Sequence, residues 1–297
     1  MSKRGRMSRR SALKTGVLGV AGVWVASGAG AEEKPAGGEG YKVKGNINQS
    51  VSRWCYNKIP LNKLCEEAKR IGYKSIELLG EKDVLEVKNL GLTCAMLSGG
   101  GGSIRDGLNR KENHDKIEAG LKKSVDFAAE NGLPNVICMS GERMGMGDDE
   151  GAENCVIGLK RVAAYAEGKK VTLCLELLNS KVNHKDYMAD HTEWGVKVCQ
   201  KVGSPYVKLL YDIYHMQIME GDIIATIKKH KEFLGHYHTG GVPGRNEIDE
   251  TQELYYPAVM KAIVETGFKG YVGQEFIPSP KRDPIASMEQ AFRICDV

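Results

Sequence analysis

Short apolar runs alternate with longer amphipathic segments from Lys42 to the end of the chain, and this alternation constrains the fold more than any other feature. Such a pattern is typical of repeated βα units and a parallel sheet. Strands are predicted near residues 45–49, 75–78, 93–97, 135–139, 171–176, 207–212, 235–239 and 271–275. Helices are predicted near residues 61–71, 82–90, 113–131, 150–167, 190–202, 221–230, 256–266 and 284–294. Eight βα units in this length predict an α/β fold, a single (β/α)8 TIM barrel.

The first 31 residues have a different character. Paired arginines, Arg9 and Arg10, precede an apolar, Gly/Ala-rich run over residues 15–26, and small residues follow up to Ala31. This order is typical of a secretory signal, and the paired arginines resemble the twin-arginine type. We therefore predict a signal peptide over residues 1–31, a linker over 32–41 and the catalytic barrel over 42–297.

An amphipathic first helix or a membrane anchor is the alternative for this N-terminal segment. Its apolar run is shorter than the ~20 residues that cross a bilayer. We expect export by the twin-arginine route, a periplasmic or other extracytoplasmic location, and no stable membrane insertion after cleavage.

Charge argues against a nucleic-acid partner. The chain carries a formal net charge of +4, but six of its basic residues and none of its acids lie in residues 1–31. The remainder is therefore net acidic, whereas a protein that follows a phosphate backbone is usually basic.

The eight cysteines show neither CxxC pairs nor zinc-finger spacing. We therefore expect mostly buried free thiols, and the sequence does not decide whether any two form a disulfide.

Two glycine-rich stretches follow predicted strands, at residues 98–103 and 141–147. Neither has the spacing of a nucleotide-binding motif, although backbone N–H groups there could hold a phosphate. We expect mobile loops over the site.

Four consecutive predicted strands end on side chains that can bind a metal: Glu176, Asp212, His238 and Glu275. The carboxyl ends of the strands meet at one rim of such a barrel, where its chemistry collects. Three carboxylates and an imidazole suit one divalent cation, Mn²⁺, Mg²⁺ or Co²⁺, with Zn²⁺ admissible. If the chain turns helical after Asp212, His215 joins it on the same face.

This set of residues can carry out proton transfer next to a carbonyl group. A cation can hold a carbonyl and a neighbouring hydroxyl and stabilise the enediolate that forms when a proton leaves the carbon between them. A carboxylate on each side of that carbon can remove the proton and return it elsewhere. The residues thus indicate isomerisation or epimerisation of a small hydroxy-carbonyl compound, a keto acid or keto-sugar.

Two further residues are candidate substrate contacts because of their positions. Trp54 follows the first predicted strand, and Glu77 lies at the end of the second. His236 precedes His238 by two residues, and we expect only one of these two rings to face the site.

Residues 211–221 (YDIYHMQIMEG) resemble the hallmark of hydroxypyruvate isomerases, within the xylose-isomerase-like sugar isomerase/epimerase superfamily. Residues 175–179, 243–249 and 271–276 extend the resemblance across the barrel. It implies that Glu176 and Glu275 are the acid/base pair and also metal ligands. It further implies that Asp212 and His238 complete the metal site, and that His215 and Arg245 contact substrate oxygens.

The resemblance leaves the reaction open. Position 238 is His, as in keto-sugar 3-epimerases, whereas hydroxypyruvate isomerases often have Gln there. Alternatives are therefore a keto-sugar 3-epimerase, a non-catalytic sugar-binding protein, and an AP endonuclease-like enzyme. The nuclease needs three zinc ions and histidines after strands three and four, where this chain has Ser98-Gly99 and Ser140-Gly141. The sequence leaves the oligomeric state open, a homo-oligomer included.

Overall fold

The structure, a computed structural model, describes residues 41–297. Its strands are β1 (Asn48–Ser52), β2 (Ser75–Glu77), β3 (Leu97–Gly101), β4 (Asn135–Cys138), β5 (Thr172–Glu176), β6 (Val207–Asp212), β7 (Leu234–Thr239) and β8 (Tyr271–Gln274). Its α-helices are α1 (Leu61–Ile71), α2 (Glu81–Asn89), α3 (His114–Asn131), α4 (Asp148–Lys169), α5 (Thr192–Val202), α6 (Ile213–Met219), α7 (Ile223–His230), α8 (Tyr256–Glu265) and α9 (Pro284–Cys295). The predicted helix over 221–230 is thus α7, with the separate short α6 before it.

All eight strands are parallel, in the order β2-β1-β8-β7-β6-β5-β4-β3. Backbone hydrogen bonds also join the two ends of this sheet, from Ile76 N to Thr93 O (3.1 Å) and from Leu78 N to Met96 O (2.9 Å). The sheet is therefore a nearly closed barrel, and the predicted (β/α)8 fold is confirmed.

Helix packing explains why these segments fold as they do. In α1 the buried residues Leu64, Cys65, Ala68 and Ile71 recur with the helical period and form one apolar stripe against the sheet. Burying one Leu or Ile side chain contributes about 1.5–3 kcal/mol. A separate small cluster of buried residues consists of Met96, Ile137, Cys174 and Leu210, which come from the segments of four neighbouring strands.

The glycine-rich stretch after the third predicted strand is not a mobile loop, and that prediction was wrong. Residues 97–101 are themselves β3, four residues beyond the predicted start. A Cβ on Gly100 would lie 2.4 Å from Gly120 O in α3, and one on Gly101 would lie 2.1 Å from Ile137 O in β4. The glycines are required because two backbones approach β3 too closely for any side chain.

The second glycine-rich stretch lies between β4 and α4, where it was expected, but it is tied to the loop after β5. Arg143 N donates to Asp186 O (2.7 Å), and Met188 N donates to Gly141 O (2.9 Å). These bonds fix the loop alongside its neighbour.

The predicted signal peptide and nearly all of the linker lie outside the described residues. Tyr41, the last linker residue, donates its hydroxyl to Asp296 Oδ2 (2.8 Å), which ties the start of the barrel to its C-terminus. Within residues 41–297 no helix has the length and apolarity to cross a membrane. All eight cysteines are free thiols.

Candidate active site

The four metal-type side chains converge at the carboxyl-terminal rim of the barrel. Glu176 and Asp212 are the last residues of β5 and β6, His238 lies near the end of β7, and Glu275 directly follows β8. Strand register places Asp212 opposite His238. All four residues are buried, and one ligand atom from each lies within 4.8 Å of the others.

The imidazole of His238 is oriented as a metal ligand. Its Nε2 donates to Glu77 Oε1 (2.7 Å), and Nδ1 faces the site carboxylates. Burial opposes protonation, but the surrounding carboxylates, Glu275 first, raise the pKa of His238 well above its usual value, so a bound cation would take the place of a proton there. Nδ1 lies 2.7 Å from Glu275 Oε2 and 3.4 Å from Glu176 Oε1, yet it forms no hydrogen bond with proper geometry. A buried nitrogen without a partner, facing three carboxylates, fits a divalent cation, and the carboxylate behind the ring is a common support for such a ligand.

Glu77 does not lie where a substrate contact would. Its side chain is fully buried, and Oε1 accepts from His236 Nε2 (3.1 Å) as well as from His238 Nε2. Burial opposes ionisation, but the two histidines outweigh it and lower the pKa of Glu77 to about 2. Glu77 is therefore an anionic partner that orients His238, which corrects its assignment as a substrate contact.

Both rings of the His236 and His238 pair contact Glu77, but only His238 also faces Glu176, Asp212 and Glu275, as expected. Residues two apart in a strand share a face of the sheet. Their rings meet edge to face with centroids 5.1 Å apart.

Gly273 in β8 provides the space for this arrangement. A Cβ there would lie 2.2 Å from Glu77 Oε1 and 2.9 Å from His238 Cδ2. Sequence reasoning did not single out Gly273, although a glycine inside a strand is a signal of close approach.

Arg245, on the loop after β7, extends into the group of ligands. Its Nη2 donates to Asp212 Oδ2 (3.0 Å) and Glu275 Oε2 (2.5 Å), and its Nη1 lies 2.9 Å from His215 Nε2. The guanidinium stands over the ring of Trp54, 5.4 Å from its centroid. Arg245 has φ +60°, a left-handed conformation that is uncommon outside glycine. The loop therefore holds the positively charged guanidinium of Arg245 beside two of the candidate metal-binding carboxylates.

His215 lies on the first turn of α6, as its spacing from Asp212 predicted. Asp212 caps this helix by accepting from His215 N (3.2 Å). His215 Nδ1 accepts from Asn179 N (3.1 Å), and Nε2 lies 2.9 Å from Arg245 Nη1 and 3.6 Å from Asp212 Oδ2. Burial keeps the pKa of His215 well below its usual value, so the ring is neutral.

Trp54 stands at the mouth of the site. Trp54 is 38% exposed, and its indole Nε1 donates to Glu275 Oε1 (2.6 Å). Trp54 thus orients one glutamate and also presents an aromatic surface to an incoming molecule.

Two of the site carboxylates have opposite protonation preferences. Burial raises the pKa of Glu176. Burial acts on Glu275 as well, but the charges of His238 and Arg245 outweigh it and hold the pKa of Glu275 well below its usual value. Such a pair can supply one acid and one base at the same pH.

Three residues of the loop after β5 were not predicted as functional: Asn179, Asn183 and His184. Asn179 anchors His215, and the half-buried ring of His184 lies 5.2 Å from the His215 ring, centroid to centroid. Asn179 falls within a recognised motif, whereas no sequence signal marked His184.

Fold and site together define a (β/α)8 barrel with three carboxylates and one histidine at the carboxyl ends of its strands. Residues 65–295 match the model of the xylose isomerase-like TIM barrel family. The chain belongs to that family.

Curated relatives and solved structures agree with this. The chain is 29% identical over 167 residues to hydroxypyruvate isomerase of Escherichia coli, which covers 55% of this chain and 63% of that protein. It is 32% identical over 127 residues to D-psicose 3-epimerase of Ruminiclostridium cellulolyticum, 41% of this chain and 40% of that protein. The chain thus spans less than two thirds of either relative. A crystal structure of an AP endonuclease, family 2, from Brucella melitensis has a TM-score of 0.71 at 22% identity, covering 82% of this chain and 97% of that one.

Proposed function

We propose that this protein is an isomerase of a small hydroxy-carbonyl compound, a keto acid or keto-sugar, in which Glu176 and Glu275 transfer the proton. The observation that carries the proposal is the convergence of four buried ligand atoms within 4.8 Å, one of them the unpartnered Nδ1 of His238. The family match and the relatives named as an isomerase and an epimerase support it.

Glu176, Asp212, His238 and Glu275 would hold one divalent cation, of which Mn²⁺, Mg²⁺ or Co²⁺ suits the oxygen-rich set best and Zn²⁺ is admissible. Bound there, the cation would polarise the carbonyl and adjacent hydroxyl of the substrate and favour loss of the proton between them. Glu77 and Trp54 keep His238 and Glu275 in fixed orientations. The protein therefore supplies a rigid set of donors that needs little reorganisation.

Proton transfer belongs to the two glutamates. Glu275 has the lowered pKa and is ionised at neutral pH, so it is the base that removes the proton from the substrate. Glu176, with a raised pKa, returns a proton at the other position. Arg245 and His215 lie beside Asp212 and would hold the substrate oxygens while the proton moves.

Glu176→Gln and Glu275→Gln test this mechanism. Each change keeps the size of the side chain but removes its capacity to carry the proton, so turnover and solvent deuterium uptake by hydroxypyruvate or D-psicose should be lost. Thermal melts should show that the fold persists. The matched control is Glu66→Gln, at an exposed position on α1. Near wild-type turnover in either active-site variant contradicts the proposal.

Epimerisation of a keto-sugar is the second candidate, because position 238 is His and the same two glutamates can return the proton to either face of one carbon. Chromatography of the products from D-psicose and hydroxypyruvate separates the two reactions. A nuclease function has less support. The similarity to the AP endonuclease structure, at 22% identity, concerns the fold alone, and residues 98–99 and 140–141 provide no histidine.

We also propose that residues 1–31 direct export by the twin-arginine route. The paired arginines and the short apolar run support this. Fractionation of cells that express the full chain should find the mature protein outside the cytoplasm, and Arg9→Lys with Arg10→Lys should retain it inside. Equal export of both forms contradicts the proposal.

A further inference from the structure

His184 carries an imidazole beside the candidate site that has no polar partner among residues 41–297. It lies on the loop between β5 and α5, half-buried, with its ring tilted by 57° against the ring of His215. In the part of the chain that the structure describes, neither ring nitrogen of His184 forms a hydrogen bond or an ion pair. Its donor and acceptor are therefore available to a bound molecule.

The loop holds His184 in a defined place. Asn179 Oδ1 accepts from the backbone N–H groups of Val182 (3.0 Å) and Asn183 (2.9 Å). His184 N donates to Asn179 O (3.1 Å), and Tyr187 N donates to His184 O (2.9 Å). Because Asn179 also anchors His215, one residue fixes both imidazoles relative to each other.

The surroundings keep this ring uncharged. Burial and the positive charge of Arg245 hold the pKa of His184 below its usual value, against the opposite effect of Glu275. A neutral imidazole has one N–H and one lone pair, which suits a hydroxyl group, itself both donor and acceptor.

We propose that His184 binds a substrate hydroxyl that lies beyond the reacting carbons, and that the substrate is therefore a polyhydroxylated ketose and not a three-carbon keto acid. This inference rests on the proposed function. Among the described residues His184 has a ring contact with His215 and no hydrogen bond or ion pair with the four metal-type side chains. A three-carbon keto acid held through its carbonyl and hydroxyl has only its carboxylate left, which the guanidinium of Arg245 would bind, and it has no further hydroxyl to offer to His184.

His184 would position the substrate and take no part in proton transfer. Losing one hydrogen bond between neutral groups should lower kcat/KM for a ketose by about tenfold. Because the metal-type side chains are untouched, metal content should stay as in the wild type.

The test compares His184→Leu and His184→Gln with wild type, using D-psicose, D-fructose and hydroxypyruvate as substrates of the metal-loaded protein. We expect His184→Leu to raise KM for the ketoses with little change in kcat, and to leave hydroxypyruvate turnover unchanged. His184→Gln should recover part of the loss, since its amide can still bond to a hydroxyl. His191→Gln is the matched control, because His191 is an exposed histidine that bonds to Asp190.

A second readout does not depend on turnover. Saturating D-fructose should shift the ring-proton resonance of His184, assigned by its absence in His184→Gln. Unchanged ketose kinetics in His184→Leu, an equal loss for hydroxypyruvate, or an unshifted resonance with ketose bound would each overturn the inference. If no ketose binds, the inference also fails, whereas the proposed function would still stand on hydroxypyruvate turnover and would fall only if no substrate exchanged a proton.

Discussion

Replacing Gly273 by alanine is the sharpest test of how the site is held together. The new Cβ would lie 2.2 Å from Glu77 Oε1, 2.8 Å from Glu77 Cδ and 2.9 Å from His238 Cδ2. Carbon atoms in contact prefer separations of about 3.5–4.0 Å, so both side chains must move by roughly 1 Å. Neither side chain can move freely, because Glu77 accepts hydrogen bonds from both His236 and His238.

The expected cost has two parts. Overpacking in a filled interior costs about 1–3 kcal/mol of unfolding free energy, which lowers Tm by roughly 2–4 °C per kcal/mol in a protein of this size. If His238 binds the metal as proposed, displacing its partner Glu77 should also weaken metal affinity, by about 10–100-fold. Isothermal titration with Mn²⁺ and thermal melts of the metal-free protein measure the two parts separately.

Gly235→Ala is the matched control, because it crowds β7 at the opposite end of the strand. Its Cβ would lie 2.7 Å from Lys208 Cβ and 3.3 Å from Cys174 Sγ, away from the ligands. We expect this variant to lose stability but to bind Mn²⁺ like the wild type. If Gly273→Ala also binds Mn²⁺ with unchanged affinity, the support of His238 by Glu77 is refuted.

Three further predictions concern the residues around the ligands. Burial, partly offset by Arg245, raises the pKa of Asp212 to about 7; a proton then competes with the metal, so Mn²⁺ affinity should fall about tenfold for each pH unit below 7, and an affinity independent of pH between 5 and 7 contradicts this. Arg245→Met should raise Mn²⁺ affinity, because no guanidinium then competes for Asp212 and Glu275, while kcat/KM falls; lower Mn²⁺ affinity in calorimetry would show that Arg245 supports the ligands instead. Asn179→Ala should lower kcat/KM by about tenfold at constant metal content, because His215 loses its anchor; elemental analysis beside steady-state kinetics checks this, and unchanged kinetics would remove Asn179 from the site.

The sequence predicted those site residues that lie at the ends of strands. The strands that end at Glu176 and Asp212 were predicted to within one residue, because continuous apolar runs mark buried parallel strands and a polar residue marks their end. Once eight βα units predict a barrel, its closure brings all carboxyl ends to one rim, so Asp212, His238 and Glu275 needed no further information. The spacing of Asp212 and His215 likewise follows from helix geometry alone.

Only the tertiary structure decided what surrounds those ends. Glu77 and His238 are 161 residues apart, and nothing local distinguishes a carboxylate that contacts substrate from one that supports a ligand. The position of β3 within the glycine run depends on α3 and β4 approaching it, and Gly273 matters only because two side chains occupy its open face. Periodicity and strand-end chemistry are local properties of the chain, so the sequence by itself determined the barrel and its ring of candidate metal ligands. Contacts between side chains far apart in the chain exist only once it has folded, and they decided how His238 is oriented, where Arg245 reaches and which loop places His184 beside His215.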